Sequence, residues 1–129
     1  MKEIFMTPEE RRVQAESYLG KTVHIEIDRP IGYVHHKKDY DLVYPINYGY
    51  IPGVLGGDRE ELDVYLLGVD TPVTEYDAEI IGIVFRTDDV EDKLVGAPRG
   101  SRFSVEQIAE AVAFQEQHHS SYVETKTNA

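Results

Sequence analysis

Short strand-like segments separated by glycine and proline occupy the middle of the chain. Between residues 22 and 28, apolar and polar side chains alternate, which is the period of a strand with one face in water. Two further apolar runs, residues 63–68 and 78–86, are joined by a connection of turn composition at residues 70–73. Short strands at this density of turn residues favour a small curved barrel over a parallel sheet.

Two other segments carry helix start signals. Thr7 is followed directly by proline and then by Glu10, so we predict a short N-terminal helix that ends near the first glycine of the chain. Ser104 and Gln107 repeat this capping pattern and predict a second helix near the C-terminus. The apolar stripe of that second helix is predicted at Val105, Ile108, Ala109, Val112 and Phe114.

The remaining C-terminal residues are mostly polar. The acidic side chains within residues 110–116 are expected on the solvated face of the helix, and residues 120–129 are expected to fray. His118 and His119 lie at the predicted helix end, where their role is open and where they suit the helix dipole. Because no repeat or linker divides the chain, we predict a single domain over residues 1–129.

The composition restricts the partners of this chain. The 129 residues carry a formal net charge of −11, which disfavours nucleic acid as a partner because its binding needs a basic surface. There is no cysteine, so disulfides, thiol nucleophiles and zinc–thiolate sites are excluded. No apolar run approaches the length of a membrane span, and a cytoplasmic protein without membrane contact is the expectation.

Acidic side chains form two groups that lie apart in the sequence. A turn-rich tyrosine segment, residues 44–53, precedes Asp58, Glu60 and Asp63, and a second acidic run at residues 88–92 is followed by Lys93. Carboxylates are the hard oxygen ligands that Mg²⁺ and Mn²⁺ prefer. The two groups therefore predict a site that gathers a divalent metal around a phosphate.

The residues of these motifs and their order resemble those of the family I soluble inorganic pyrophosphatases. The matching segments are residues 25–29, 44–50, 58–64, 87–89 and 91–95. The resemblance extends over residues 22–98, with the family's order and approximate spacing.

The resemblance implies both a fold and an activity. The expected fold is α+β and mainly β: a small curved, OB-like barrel of five antiparallel strands with an N-terminal and a C-terminal helix. The expected activity is Mg²⁺-dependent hydrolysis of inorganic pyrophosphate to two phosphates by metal-activated water, with Mn²⁺ as an alternative metal. The implied partner is a small phosphate-containing substrate, and a homo-oligomer is an allowed assembly.

The resemblance also implies roles for individual residues. The metal ligands would be drawn from Asp58, Asp63, Asp88, Glu91, Asp92 and Glu26, and the choice between Glu91 and Asp92 is open. Glu60 stands where the family carries an aspartate that orients or deprotonates the water, and Tyr48 would hydrogen-bond near this nucleophile. Lys93 and Tyr44 would contact phosphate oxygens.

Several positions depart from the family pattern. A family lysine on the first strand is replaced by His24, and a family arginine on the following strand falls near His36 and Lys37. The tyrosine–lysine pair of the family's last helix aligns with residues 118–119. Because histidine is about half charged near pH 6.5, these positions would bind substrate phosphate only partly and in a pH-dependent way.

These departures leave other hypotheses open. One is a noncatalytic protein that binds a metal–phosphate ligand on the same fold, and another is a hydrolase of a different small phosphoanhydride. The candidate residues also have structural explanations: the acids at residues 58–60 and 88–89 can solvate turns, Tyr44 and Tyr48 can belong to the barrel core, and residues 35–38 can form a basic loop.

Overall fold

Two capped helices flank the strands, as the sequence predicts. The computed structural model describes residues 6–125. Helix α1, Pro8–Tyr18, begins at Thr7 with a reciprocal capping box to Glu10. Helix α2, Val105–Glu116, begins in the same way at Ser104. Both predicted helix starts are therefore confirmed.

Eight strands make up the rest of the secondary structure within the described residues: β1 Thr22–Arg29, β2 Val34–His36, β3 Asp41–Val43, β4 Asn47–Leu55, β5 Glu61–Leu66, β6 Glu75–Arg86, β7 Lys93–Ala97 and β8 Ser121–Thr125. Strands β2 and β3 form a separate antiparallel hairpin. The segment that the sequence suggested to be rich in turns is largely strand β4. Its Gly49 is required there, since a Cβ would lie 1.8 Å from the carbonyl oxygen of Glu26.

Five strands close into a barrel in the order β1-β4-β5-β7-β6, and β6 pairs back to β1. The mainly β, OB-like barrel with two helices is therefore confirmed. One detail of the expectation is wrong, because β5 and β7 run parallel while the other barrel neighbours are antiparallel. The long strand β6 lies between β5 and β7 in sequence and reverses the chain, so that β7 returns in the direction of β5.

The C-terminal segment is more ordered than the sequence suggests. Residues 121–125 form β8, which pairs antiparallel with the second half of β6 from Arg86 to Gly82. Arg12 of α1 fastens this strand through an ion pair of 2.9 Å to Glu124 and a hydrogen bond to Tyr122. The prediction of a frayed tail is wrong for these residues, and its last part, residues 126–129, lies outside the described residues.

The core has two parts. One fills the barrel with aliphatic side chains such as Ile25, Val64 and Leu94. The other, called the tyrosine core, lies between the barrel and α2. It contains Tyr44, Tyr48 and Tyr65 together with Ile108 and Val112. Because these tyrosines carry hydroxyl groups that need partners when buried, the tyrosine core directs polar contacts toward one end of the barrel.

Candidate functional site

Lys93 is the centre of a buried polar cluster at the start of β7. The side chain is 3% exposed. The ammonium donates hydrogen bonds of 2.7 Å to the Tyr48 hydroxyl and 2.7 Å to Asp63 Oδ2, and lies 3.3 Å from Glu91 Oε1. Burial lowers the pKa of Lys93, but Asp63 and Glu91 raise it by more, so the net shift is upward and the ammonium stays charged.

The parallel strand pair brings Lys93 beside Asp63. Val64 of β5 lies opposite Leu94 of β7. The residues before them, Asp63 and Lys93, are therefore also neighbours, and their side chains lie on the same face of the sheet. Tyr48 reaches the same point from β4, which is the other neighbour of β5. Residues that are distant in sequence thus converge because of the barrel's closure.

Asp58 joins this cluster from the turn that precedes β5. Its Oδ1 accepts the backbone N–H of Glu60 at 3.0 Å, and the intervening Arg59 has a φ of 65°, a conformation uncommon for a residue other than glycine. The turn packs closely on the acidic loop, because a Cβ on Gly57 would lie 2.2 Å from the carbonyl oxygen of Val90.

The Asp58 carboxyl meets the carboxyl of Glu91. Burial, followed by the hydrogen bond with Glu91, raises the pKa of Asp58 to about 6. Below that pKa the two carboxyl groups share a proton, because they cannot both ionise without cost. Such a pair is a place where a cation would be stabilised in place of that proton.

A second buried cation supports the acidic loop. Arg86 forms an ion pair of 2.8 Å with Glu116 at the end of α2 and one of 2.9 Å with Glu91, and its Nη1 lies 3.5 Å from Asp89 Oδ2. Glu116 also accepts a hydrogen bond of 2.6 Å from the Tyr65 hydroxyl. The expectation that Glu116 is solvated is wrong, since this residue is 6% exposed.

Arg29 at the end of β1 is a further cation near the site, and no role was predicted for it from the sequence. Its Nη1 donates a hydrogen bond of 2.5 Å to the Tyr44 hydroxyl, which in turn donates one of 2.7 Å to Gln115 Oε1. The guanidinium carbon lies 5.5 to 5.8 Å from the ring centroids of Tyr33, Tyr44 and Tyr48. Its only sequence signal was its position in the first matching motif, residues 25–29.

The two acids of the Glu91–Asp92 pair point in different directions. Glu91 contacts Lys93, Arg86 and Asp58, as described above. Asp92 instead accepts from Arg11 of α1 at 2.6 and 3.0 Å and from the backbone N–H of Arg86 at 3.0 Å. Asp92 therefore fastens α1 to the acidic loop, whereas Glu91 belongs to the cluster around Lys93.

Some of the predicted site residues form contacts of their own on the barrel surface. His24 Nδ1 lies 2.9 Å from Asp77, and its Nε2 lies 3.4 Å from Glu26. The hydrogen bond with Asp77 raises the pKa of His24, while burial has a smaller and opposite effect. Within residues 6–125, His24 and Glu26 bind each other, and His24 also binds Asp77, rather than Lys93 or Asp63.

Other predicted residues lie around the hairpin and the end of α2. His36 is paired with Asp41 at 2.9 Å, and the Lys37 ammonium lies 5.8 Å from the ring centroid of Tyr40. Asp88 Oδ1 lies 3.4 Å from His119 Nδ1. The Glu60 side chain is exposed on the turn beside Asp58.

The cluster has the donor chemistry of a site for a hard divalent metal. Within residues 6–125, no three carboxylates or histidines are already arranged to hold an ion. The Lys93 ammonium lies between the carboxylates of Asp63 and Glu91 and supplies the positive charge there. The carboxyl contact between Asp58 and Glu91 nevertheless fits a cation with oxygen ligands, which would replace the shared proton.

Neither helix described in residues 6–125 has the length and apolar character needed to cross a bilayer.

Known proteins with similar sequences are inorganic pyrophosphatases. A family model described as inorganic pyrophosphatase matches residues 13–124. An inorganic pyrophosphatase from Saccharolobus solfataricus is 36% identical over 98 residues, which cover 71% of this chain and 57% of that protein. One from Haemophilus influenzae is 40% identical over 62 residues, which cover 45% of this chain and 35% of that protein. The chain thus spans little more than half the length of the first of these relatives.

Solved structures share the fold at low sequence identity. A crystal structure of inorganic pyrophosphatase from Ehrlichia chaffeensis has a TM-score of 0.62 and 20% identity, covering 83% of this chain and 87% of that one. An inorganic pyrophosphatase from Helicobacter pylori has a TM-score of 0.56 and 17% identity, covering 84% of each chain. At such identities the likeness shows a common barrel.

Proposed function

Because the chain belongs to the inorganic pyrophosphatase family, we propose that it hydrolyses inorganic pyrophosphate to two phosphate ions in a reaction that requires Mg²⁺. The observation that supports this proposal most strongly is the buried cluster in which the Lys93 ammonium contacts Tyr48, Asp63 and Glu91. A desolvated ammonium beside carboxylates from β5 and from the acidic loop suits the binding and neutralisation of a phosphate–metal ligand.

Asp58, Asp63 and Glu91 would hold Mg²⁺, and Mn²⁺ would satisfy the same oxygen ligands. When bound, the metal would activate a water molecule as the nucleophile and neutralise charge on the phosphate. The carboxyl pair of Asp58 and Glu91 would lose its shared proton to make this site. Asp88 and Glu26 would be further ligands, whereas Asp92 would hold the loop through Arg11.

The remaining groups would bind substrate and manage protons. Lys93 would bind a phosphate oxygen with its ammonium. Burial, followed by the charge of Asp63, raises the pKa of Tyr48 well above its usual value, so its hydroxyl stays protonated and can donate to the nucleophile or the substrate. Glu60 would orient the water and accept its proton. Tyr44 would contact phosphate, with His24, His36 and Lys37 as outer groups whose charge assists binding.

The proposal extends to the setting of the protein. The protein would be a single domain over residues 1–129 that acts in the cytoplasm on a small phosphate-containing substrate. It would have no nucleic-acid or membrane partner, and a homo-oligomer is an allowed assembly. The net charge of −11 repels anions in general, so the local cations must invert the field at the site.

One observation favours a second function at the same site. The Lys93 ammonium already lies between Asp63 and Glu91, a position that competes with a metal for the same carboxylates. If Lys93 kept this position, the chain would bind a phosphate ligand without hydrolysing it. Phosphate release measured over a range of Mg²⁺ concentrations separates the two functions.

A substitution at Asp63 tests the hydrolytic proposal most directly. We expect release of phosphate from pyrophosphate by the parent protein only with Mg²⁺, and a loss of kcat on the order of a hundredfold or more in Asp63→Asn, since that change removes both a ligand and a partner of Lys93. Asp70→Asn is the matched control, because Asp70 is exposed outside the cluster. Equal turnover of Asp63→Asn and the parent would show that the assignment is wrong.

A further inference from the structure

Arg29 differs from the other buried or half-buried cations of the site in its partners. Arg11, Arg86 and Lys93 each form ion pairs with carboxylates. Arg29 has no carboxylate within ion-pair distance among the described residues, although the whole chain contains 24 acidic residues. A half-buried guanidinium that lacks a counter-anion in so acidic a chain is unusual, because partial desolvation of a charge is normally offset by an ion pair.

The neighbours of Arg29 hold it in place without neutralising it. Three tyrosine rings lie within 5.8 Å of the guanidinium carbon, and the Tyr44 hydroxyl accepts one hydrogen bond from Nη1. His35 Nδ1 lies 3.4 Å from the same nitrogen. Burial, followed by the charge of Arg29, lowers the pKa of His35, so this imidazole is a neutral neighbour. The guanidinium therefore keeps its full positive charge and most of its N–H donors.

Arg29 and Lys93 lie on the same tyrosine. The Arg29 guanidinium carbon is 5.8 Å from the centroid of the Tyr48 ring, and the Lys93 ammonium nitrogen is 5.4 Å from that centroid. Both cations therefore lie against the Tyr48 ring, beside the acidic cluster. A ligand that carries negative charge and several acceptor oxygens would give the Arg29 guanidinium the counter-anion that it lacks, and it would compete with the carboxylates for the Lys93 ammonium.

We infer that Arg29 is a phosphate-binding residue of this site, where its guanidinium holds a phosphoryl group of the substrate that Lys93 also contacts. This inference rests on the proposed function for its substrate class. Arginine suits the role, because its planar guanidinium can donate two parallel hydrogen bonds to phosphate oxygens. Arg29 thereby supplies the site with a cation that stays charged at every pH at which the protein is folded.

The test compares Arg29→Gln and Arg29→Lys with the parent and with Arg99→Gln. Arg99 is exposed outside the cluster and is the matched control. The probe is methylenediphosphonate, a pyrophosphate analogue that is not hydrolysed, and its Kd in the presence of Mg²⁺ is measured by calorimetry. The KM and kcat for pyrophosphate are measured on the same samples. Arg29→Lys keeps the charge and the contact with the tyrosine rings, so it remains decisive if Arg29→Gln fails to fold.

We expect Arg29→Gln to raise the Kd for the analogue by about 10- to 100-fold and Arg29→Lys to raise it by about tenfold, because only arginine provides two parallel hydrogen bonds to phosphate. The Kd of Arg99→Gln should equal that of the parent. Parental affinity in either Arg29 variant that folds would overturn the inference even if the parent hydrolyses pyrophosphate. A parent that binds the analogue more tightly than its Arg29 variants, but releases no phosphate from pyrophosphate, would support the inference and refute the hydrolytic function.

Discussion

Breaking the buried ion pair between Arg86 and Glu116 should destabilise the fold strongly, and Glu116→Gln tests this. Glu116 accepts hydrogen bonds of 3.1 and 2.8 Å from the Arg86 guanidinium and one of 2.6 Å from Tyr65. The substitution keeps the shape of the side chain but removes its charge. Arg86 would then be left with Glu91 at 2.9 Å and Asp89 at 3.5 Å.

The expected loss follows from burial and from the remaining partners. Removing one member of a buried pair typically costs several kcal/mol, because the other charge stays desolvated. Since Arg86 keeps Glu91, we expect the lower end, a decrease of about 3 kcal/mol in the free energy of unfolding at pH 7. For a chain of this size that corresponds to a fall in Tm of roughly 10 °C.

The same pair predicts a pH dependence. Burial raises the pKa of Glu116, but the hydrogen bonds from Arg86 and Tyr65 lower it by more, so the net shift is downward. A carboxyl group with a lowered pKa in the folded state stabilises the fold above its unfolded pKa of about 4.3, and this stability is lost as the pH falls through the folded pKa. The difference between the parent and Glu116→Gln should therefore be full at pH 7 and should shrink below about pH 4.3.

Urea unfolding followed by circular dichroism at several pH values measures both effects. Glu110→Gln is the matched control, because Glu110 lies exposed on the same helix. A Glu116→Gln variant within about 0.5 kcal/mol of the parent at pH 7, the range of ordinary surface changes, would refute the assignment of this pair. A stability difference that does not decrease in acid would refute the pH argument alone.

Three further predictions use the same methods. Gly49→Ala should lower the free energy of unfolding by at least about 3 kcal/mol, or should prevent folding, because the new Cβ would lie 1.8 Å from the Glu26 carbonyl oxygen. A variant as stable as the parent would contradict this close approach. Ser104→Ala should cost about 1 kcal/mol in urea unfolding through loss of the α2 cap, and an unchanged midpoint would contradict the cap's contribution. Mg²⁺ at about 100 times its Kd should stabilise the parent by about 2.7 kcal/mol and raise its Tm, but should stabilise Asp63→Asn less, whereas equal shifts would argue against Asp63 as a ligand.

The elements with local signals could be predicted from the sequence. The caps at Thr7 and Ser104 fix the helix starts through contacts within one turn, and the alternation at residues 22–28 marks β1. The parallel direction of β7 beside β5 has no such signal, because it depends on how β6 reverses the chain. Strand β8 was missed for a similar reason: its partner β6 and its anchor Arg12 lie far away in the sequence.

The motif comparison found Tyr48, Asp63 and Lys93, which the structure brings into contact, but it did not find Arg29 or the pairing of Glu116. For Glu116 a signal existed, because it continues the spacing of the buried residues Ile108 and Val112 by one more helical turn. A charged residue on the buried stripe of a helix implies a buried partner, although the sequence does not say which one.

The last turn of α2 connects the two arginines of the site. Gln115 accepts from Tyr44, the partner of Arg29, and its amide nitrogen donates to Tyr65 at 2.8 Å. The Tyr65 hydroxyl then donates to Glu116, which pairs with Arg86, as described above. The amide of Gln115 can fill both roles because it has a donor and an acceptor at its end, and neither a carboxylate nor an aliphatic side chain could do so. The end of α2 thus connects the two arginines: Gln115 reaches Arg29 through Tyr44, and Glu116 binds Arg86 directly.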